Sequence, residues 1–188
     1  MSARLRPLAP AELDPAQRAL YAEITGGPRA AGPRHFALTD DEGCLRGPFN
    51  AMLLSPGVGR ALQELGAAVR YRSGLGPRLR ETAILMVAQA RDSAFERHAH
   101  EAVGAAAGLT DDELVALREG RDPGLSDPVE RAAWTFTRAL LDGSGALQER
   151  AYDTARAALG ERTLFELSTL VGYYSTLALQ LRLFDVPA

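Results

Sequence analysis

Glu81-Thr82-Ala83-Ile84-Leu85-Met86-Val87-Ala88, followed after a short break by Ser93-Ala94-Phe95-Glu96-Arg97-His98-Ala99-His100, is the stretch whose reading decides the fold. The first run is apolar on almost every side after its opening turn, and a helix apolar all round is normally buried. In the second run Ser93, Glu96 and His100 stand at helical offsets of zero, three and seven, so they share one face. That face continues through Val103 and Ala107 and is expected to point inward. Two carboxylates and an imidazole in such company are costly unless paired. The break near Asp92 permits an antiparallel pair of helices, which would carry Glu81 toward Glu96 and His100.

Outward from this pair, the chain reads as helices with almost no strand signal. Asp14-Pro15 marks a helix start, with Leu20 and Ile24 on its apolar side and Gly26-Gly27 at its end. Residues 26–48 are loop-like, dense in Gly, Pro and charge; so long an irregular stretch is often functional. A short helix is expected from Phe49 to Leu54 and a longer one from Val58 to Tyr71, striped by Leu62, Leu65 and Val69. Pro77 opens the buried run. Beyond Gly108, Thr110 with Glu113 forms a capping-box signature, and Asp127-Pro128 begins a further helix. Two more are expected, from Gln148 to Leu159 and from Glu161 to Phe184. The expected fold class is all-α, a compact multi-helix bundle in a single domain over 1–188, with an N-terminal helix and loop (1–46) and a helical core (47–186).

Composition bounds the function. Of 188 residues 46% are hydrophobic and 24% charged, enough for a real core and too ordered in character for a disordered chain. A net charge of −3 argues against a nucleic-acid footprint. No stretch approaches the roughly 18 apolar residues of a membrane span, and the start at Met1 lacks an apolar signal core. A single Cys44 fits a reducing cytoplasm. Arg in excess of Lys and abundant Ala suggest a GC-rich bacterial genome.

The polar group in the core suits proton transfer. Imidazole works near neutral pH, a carboxylate one turn away can hold its tautomer, and a second buried carboxylate with a raised pKa can serve as an acid. Structural readings compete: Glu81 as an early-turn glutamate favoured by the helix dipole, and Glu96 with His100 as an exposed i,i+4 pair. Asp92 reads as a helix cap, and Arg97 with Glu101 as an exposed i,i+4 pair. No metal is expected: His98 and His100 point in different directions, and the Glu-x-x-His spacing of helical di-iron sites is missing. Ser93 and His100 are two turns apart, on the order of 10 Å along the axis, too far for a hydrolase pair. Nothing resembles Gly-x-Ser-x-Gly, a P-loop or a dinucleotide fingerprint.

Taken together, Gly47-Pro48-Phe49-Asn50, Ser55-Pro56, Arg80-Glu81, Phe95-Glu96 with His100, and Gly172-Tyr173-Tyr174 resemble the carboxymuconolactone decarboxylase family, which includes the alkylhydroperoxidase D-like proteins. The resemblance runs over roughly residues 45 to 186. It implies an all-helical fold and a homo-oligomer, commonly a trimer or a multiple of it. Two departures stand out. The Cys-x-x-Cys of the peroxidase branch falls on Ser93 and Glu96, so the redox pair is missing, and thiol peroxidase chemistry needs a thiolate. The Trp that follows the motif glutamate is Arg97 here.

The expectation is a cofactor-free acid–base enzyme acting on a small organic acid, lactone or related carbonyl compound. His100 would be general acid or base, Glu96 its orienting partner and Glu81 a second acid. Phe49, Asn50, Ser93 and Arg97 are candidate substrate contacts, and Arg78, Arg80 or Arg97 could hold a carboxylate. The rivals are a non-catalytic ligand-binding or assembly protein on the same fold and, last, redox activity through Cys44.

Overall fold

The computed structural model describes residues 4–27, 29, 37–143 and 147–187; of the loop expected over 26–48, residues 28 and 30–36 lie outside this set. Among the described residues eight α-helices follow one another: α1 Pro15–Gly26, α2 Pro48–Met52, α3 Pro56–Tyr71, α4 Pro77–Ala90, α5 Ala94–Ala106, α6 Asp111–Arg118, α7 Pro128–Asp142 and α8 Glu149–Leu183. A 3-10 turn at Pro10–Glu12 precedes them, and Thr39 and Leu45 form an isolated antiparallel bridge in the segment before α2. The chain is all-α among the described residues.

Local chemistry accounts for the helix starts. Five helices have Pro in the first turn, where the missing N–H is no loss. Asp14 with Gln17 and Thr110 with Glu113 make reciprocal capping boxes. The Asp127 carboxylate accepts from the Val129 and Glu130 amides.

Helix α4 is the hub, packed against α5, α6, α7 and α8. All eight residues from Glu81 to Ala88 are buried. Ala83, Ile84 and Val87 enter the main core with Leu167, Leu170 and Leu177 of α8. Leu85 and Met86 face a second core made with Leu109, Leu114 and Leu117. A helix between two cores must be apolar all round, which is the physical reason for its composition. Its start is clipped by Arg78, which binds Glu113 at 2.8 Å and Glu130 at 3.0 Å and also donates to the Gly108 carbonyl. Arg78 is thereby committed to structure, and its proposed role in holding a substrate carboxylate is corrected.

Two further expectations need correction. The Arg97–Glu101 pair does not form: Arg97 reaches Asp92 at 3.4 Å, while Glu101 is taken by Arg118. The inward face of α5 does not run on through Val103 and Ala107, which are half-buried, but through Ala99, His100 and Gly104; a straight helix drifts off any seven-residue register. On α8, Leu167, Leu170, Val171, Tyr174 and Leu177 are all buried within the chain.

The two helices expected at the C-terminal end lie within Glu149–Leu183 on either side of a kink at Gly160, whose φ of 76° and ψ of 155° are essentially restricted to glycine. A Cβ placed there would meet no atom within 4 Å. Gly160→Ala is therefore expected to cost about 1–3 kcal/mol through backbone strain alone. Urea unfolding checks this, and an unchanged midpoint would show that the bend tolerates a side chain.

Candidate functional site

Glu81 sits one turn into α4 and has no solvent exposure. The return toward it is made by a tight helix stop. Asp92 adopts a left-handed φ of 49°, and the Ser93 amide bonds back to the Ala88 carbonyl at 2.8 Å. Asp92 is thus a cap at the C-terminal end of α4, while Ser93 occupies the N-cap of α5 without a side-chain capping bond. This turn lays α5 against α4 and sets His100 opposite Glu81.

The result is an imidazole between two carboxylates. His100 Nδ1 lies 2.6 Å from Glu81 Oε2, and His100 Nε2 lies 3.4 Å from Glu96 Oε2. Glu81 Oε1 accepts from Arg80 Nε at 3.2 Å. The edge of Tyr174 meets the imidazole, with ring centroids 5.2 Å apart, and Tyr173 packs edge-on against Tyr174 in turn.

The two carboxyls have opposite electrostatics. Burial pushes the Glu81 pKa up, but the hydrogen bond and charge of His100, with Arg70 and Arg80, outweigh it and hold the pKa below its usual value. Burial dominates at Glu96 and raises its pKa, against the pull of His100, Arg70 and Arg29 and with the help of Glu81. The Glu81 carboxylate accepts from Nδ1–H, which leaves the Nε2 side of the ring facing Glu96. Of the two carboxyls, Glu81 makes the shorter contact with the imidazole and has the lowered pKa, and Glu96 the longer contact and the raised one.

Glu96 and His100 open onto a cavity closed further by Arg29, Arg70, Tyr173 and Tyr174, with about 20 Å³ of free space, room for about one water. Glu96 Oε1 is buried and without a partner. Phe49 also lines this cavity, under the Arg29 guanidinium at 5.1 Å from the ring centroid. Gly66 of α3 permits the arrangement, since a Cβ there would overlap the Tyr173 hydroxyl and the Arg29 guanidinium.

Not every candidate converges. Asn50 is held by the N-terminal segment, accepting from the Leu8 amide and donating to the Arg6 carbonyl, both at 3.1 Å. Ser93 Oγ is buried without a partner and does not line the cavity, and Arg97 is turned to Asp92. Arg80 is spent on Glu81. His98 is exposed. Among the described residues no group of three His, Cys, Asp or Glu side chains has the arrangement to hold a metal. Cys44 is buried elsewhere, its thiol pushed up by burial and by Asp40 and Glu42. Sequence reasoning missed Arg29 and Arg70. Arg70 had a signal, since it continues the stripe of Leu62, Gly66 and Val69 at helical spacing; Arg29, outside any periodic segment, had none.

Opposite pKa shifts predict opposite pH dependence. Glu81, with a lowered folded pKa, stabilises the fold above its unfolded value near 4.5 and loses that contribution as pH falls through the folded pKa. Glu96, with a raised one, stabilises below 4.5 and loses that contribution as pH rises through the folded pKa. Glu81→Gln is expected to be less stable than wild type at pH 7, and Glu96→Gln more stable, with both differences shrinking toward acid pH. Denaturant melts across pH measure this, and shifts of the same sign in both variants would refute the assignment.

The model of the carboxymuconolactone decarboxylase family matches residues 56–139, a segment holding Glu81, Glu96 and His100. No curated protein matches the chain. Among solved structures the chain is similar to the debrominase Bmp8, a cysteine-to-alanine variant in complex with 2,3,4-tribromopyrrole. The TM-score is 0.71 at 14% identity, over 100% of this chain and 92% of that one. At that identity the likeness is one of fold. Over residues 56–139 the chain is thus similar to the carboxymuconolactone decarboxylase family, and its all-helical fold is that of the debrominase.

Proposed function

We propose that the chain is an acid–base enzyme acting on a small organic acid, lactone or related carbonyl compound, by decarboxylation or by proton transfer next to the carbonyl. One observation carries this reading: His100 is held between Glu81 at 2.6 Å and Glu96 at 3.4 Å, two buried carboxyls whose pKa values are shifted in opposite directions, beside a small pocket. Glu81 fixes the imidazole with Nδ1–H and stabilises the imidazolium formed when Nε2 takes a proton. Glu96 faces the cavity with a transferable proton, and His100 restores its protonation state between cycles. The three side chains supply both acid and base, so the scheme calls on no cofactor. Burial keeps bulk water from competing for the proton and strengthens each charge–charge interaction.

Redox chemistry is the least supported alternative, because the one thiol is buried away from the cavity with its pKa raised. A homo-oligomer belongs to the same proposal. Phe165, Leu179 and Leu183 of α8 are 71%, 69% and 56% exposed and fall on one helical stripe, with Gly172 between them. Light scattering is expected to give a multiple of 20.1 kDa, and a monomer at micromolar concentration would remove this part.

The catalytic test is a panel of lactones and β-keto acids in deuterated water, read by NMR for deuterium uptake or loss of carbon dioxide. His100→Ala is expected to lower turnover by about 10²–10⁴-fold. Undiminished turnover in that variant would take histidine out of the mechanism. Tight binding without conversion across the panel would favour a ligand-binding protein on this fold.

A further inference from the structure

Two guanidinium groups reach the cavity beside Glu96 and His100, Arg70 from the end of α3 and Arg29 from just beyond α1. The Nε atom of each is buried and has no partner. Arg29 otherwise lies over the Phe49 ring, makes a long 3.5 Å contact to the Gln63 carbonyl and bonds the Tyr173 hydroxyl. Arg70 lies beside the Tyr71 ring, 5.7 Å from its centroid. Among the described residues neither forms an ion pair with a carboxylate, whereas Arg78 has two such partners and Arg80 has one. The remaining residues contain no Asp or Glu. The nearest acids are Glu81, which serves Arg80 and His100, and Glu96, which makes its one ion-pair contact with His100.

Two largely buried guanidinium groups that face one small pocket, with no carboxylate in direct ion-pair contact, are costly in an empty protein. The cost is removed when a bound anion supplies the charge, and guanidinium forks match a planar carboxylate in geometry as well as charge. The Tyr173 hydroxyl adds a neutral donor on the same wall. The free space of about 20 Å³ admits about one water as it stands. Phe95 borders both this cavity and an outer groove of about 520 Å³, lined also by Leu5, Leu45 and Val186, so displacement of its ring would join the two.

We propose that Arg29 and Arg70 are the receptor for the carboxylate of a small organic monoacid, seated in the cavity beside Glu96 and His100 with its remaining carbons toward Phe95 and the outer groove. The proposal deepens the acid–base reading and rests on it for treating the bound acid as substrate. It sets substrate class: anionic acids bind, and the corresponding neutral esters and amides do not. Arg29 and Arg70 are binding residues, and their positive charge also draws electrons from the carboxylate they hold.

The probes are sodium formate and sodium acetate, titrated against sodium chloride at equal ionic strength. Binding is read by calorimetry and by the rise in Tm that a ligand of the folded state produces. Wild type is expected to show saturable carboxylate binding and a Tm rise that chloride does not reproduce. Arg29→Gln and Arg70→Gln are each expected to weaken acetate at least tenfold while melting no lower than wild type without ligand, because each removes an unpaired buried cation. Arg70→Lys is expected to fall between, keeping charge but losing the fork. His100→Ala is expected to keep acetate binding. A wild-type response to acetate no larger than to chloride would overturn the receptor, as would wild-type affinity in both glutamine variants. Loss of stability without loss of affinity in those variants would make the two arginines structural and also overturn it. Because binding and turnover are read separately, a neutral lactone converted by wild type without acetate binding would leave the acid–base reading standing and the receptor refuted.

Discussion

The hydrogen bond between Glu81 and His100, 2.6 Å long and buried at both ends, is the interaction on which the rest of the structure depends. It can form only if α4 and α5 pack as an antiparallel pair, which requires the sharp stop at Asp92 and the return bond from Ser93 to Ala88. It can persist only if each carboxylate oxygen has a donor, and Arg80 supplies the second. Removing His100 would leave the Glu81 carboxylate, where no water can reach it, with Arg80 as its remaining donor, and breaking a buried pair costs ~3–5 kcal/mol. The fold is thus committed to the pair, and the apolar faces of α4 isolate it by filling two cores at once.

Isolation also explains why two carboxyls of the same type titrate apart. Glu81 gains more from its donors than it loses by burial, whereas Glu96 meets the imidazole only at 3.4 Å and keeps one oxygen without a partner. Small geometric differences of this kind become large electrostatic ones when the effective dielectric is low. The division of labour proposed for the site follows from those distances and from no difference in residue type.

Much of this was legible in the residues, and the legible parts share a physical reason. A helix buried on all sides announces itself by composition, so α4 and its polar intruder Glu81 could be read directly. The i,i+4 relation of Glu96 and His100 is a property of one helix and needs no tertiary knowledge. What could not be read depends on packing between elements. The opposite pKa shifts of Glu81 and Glu96 rest on which carboxyl finds more donors. Arg78, Arg80 and Arg97 are chemically equal as sequence, yet each is claimed by an acid, two of them by acids on the same or the next helical turn and Arg78 by Glu113 and Glu130 far along the chain. Arg29 and Arg70 are left for the cavity by the same sorting.

That sorting has a consequence for how the site holds its charge. Counting formal charges around the cavity, Arg80 balances Glu81, while Arg29 and Arg70 face a Glu96 whose burial favours the neutral form. Were Glu96 ionised, it would supply one countercharge to the two arginines. Were an anion bound, Glu96 could stay protonated at no electrostatic loss. Anion occupancy and the protonation of Glu96 are therefore coupled in sign: a carboxylate in the cavity raises the Glu96 pKa further, and loss of the anion lowers it. A carboxylate bound there would hold Glu96 more firmly in the protonated form that its burial already favours.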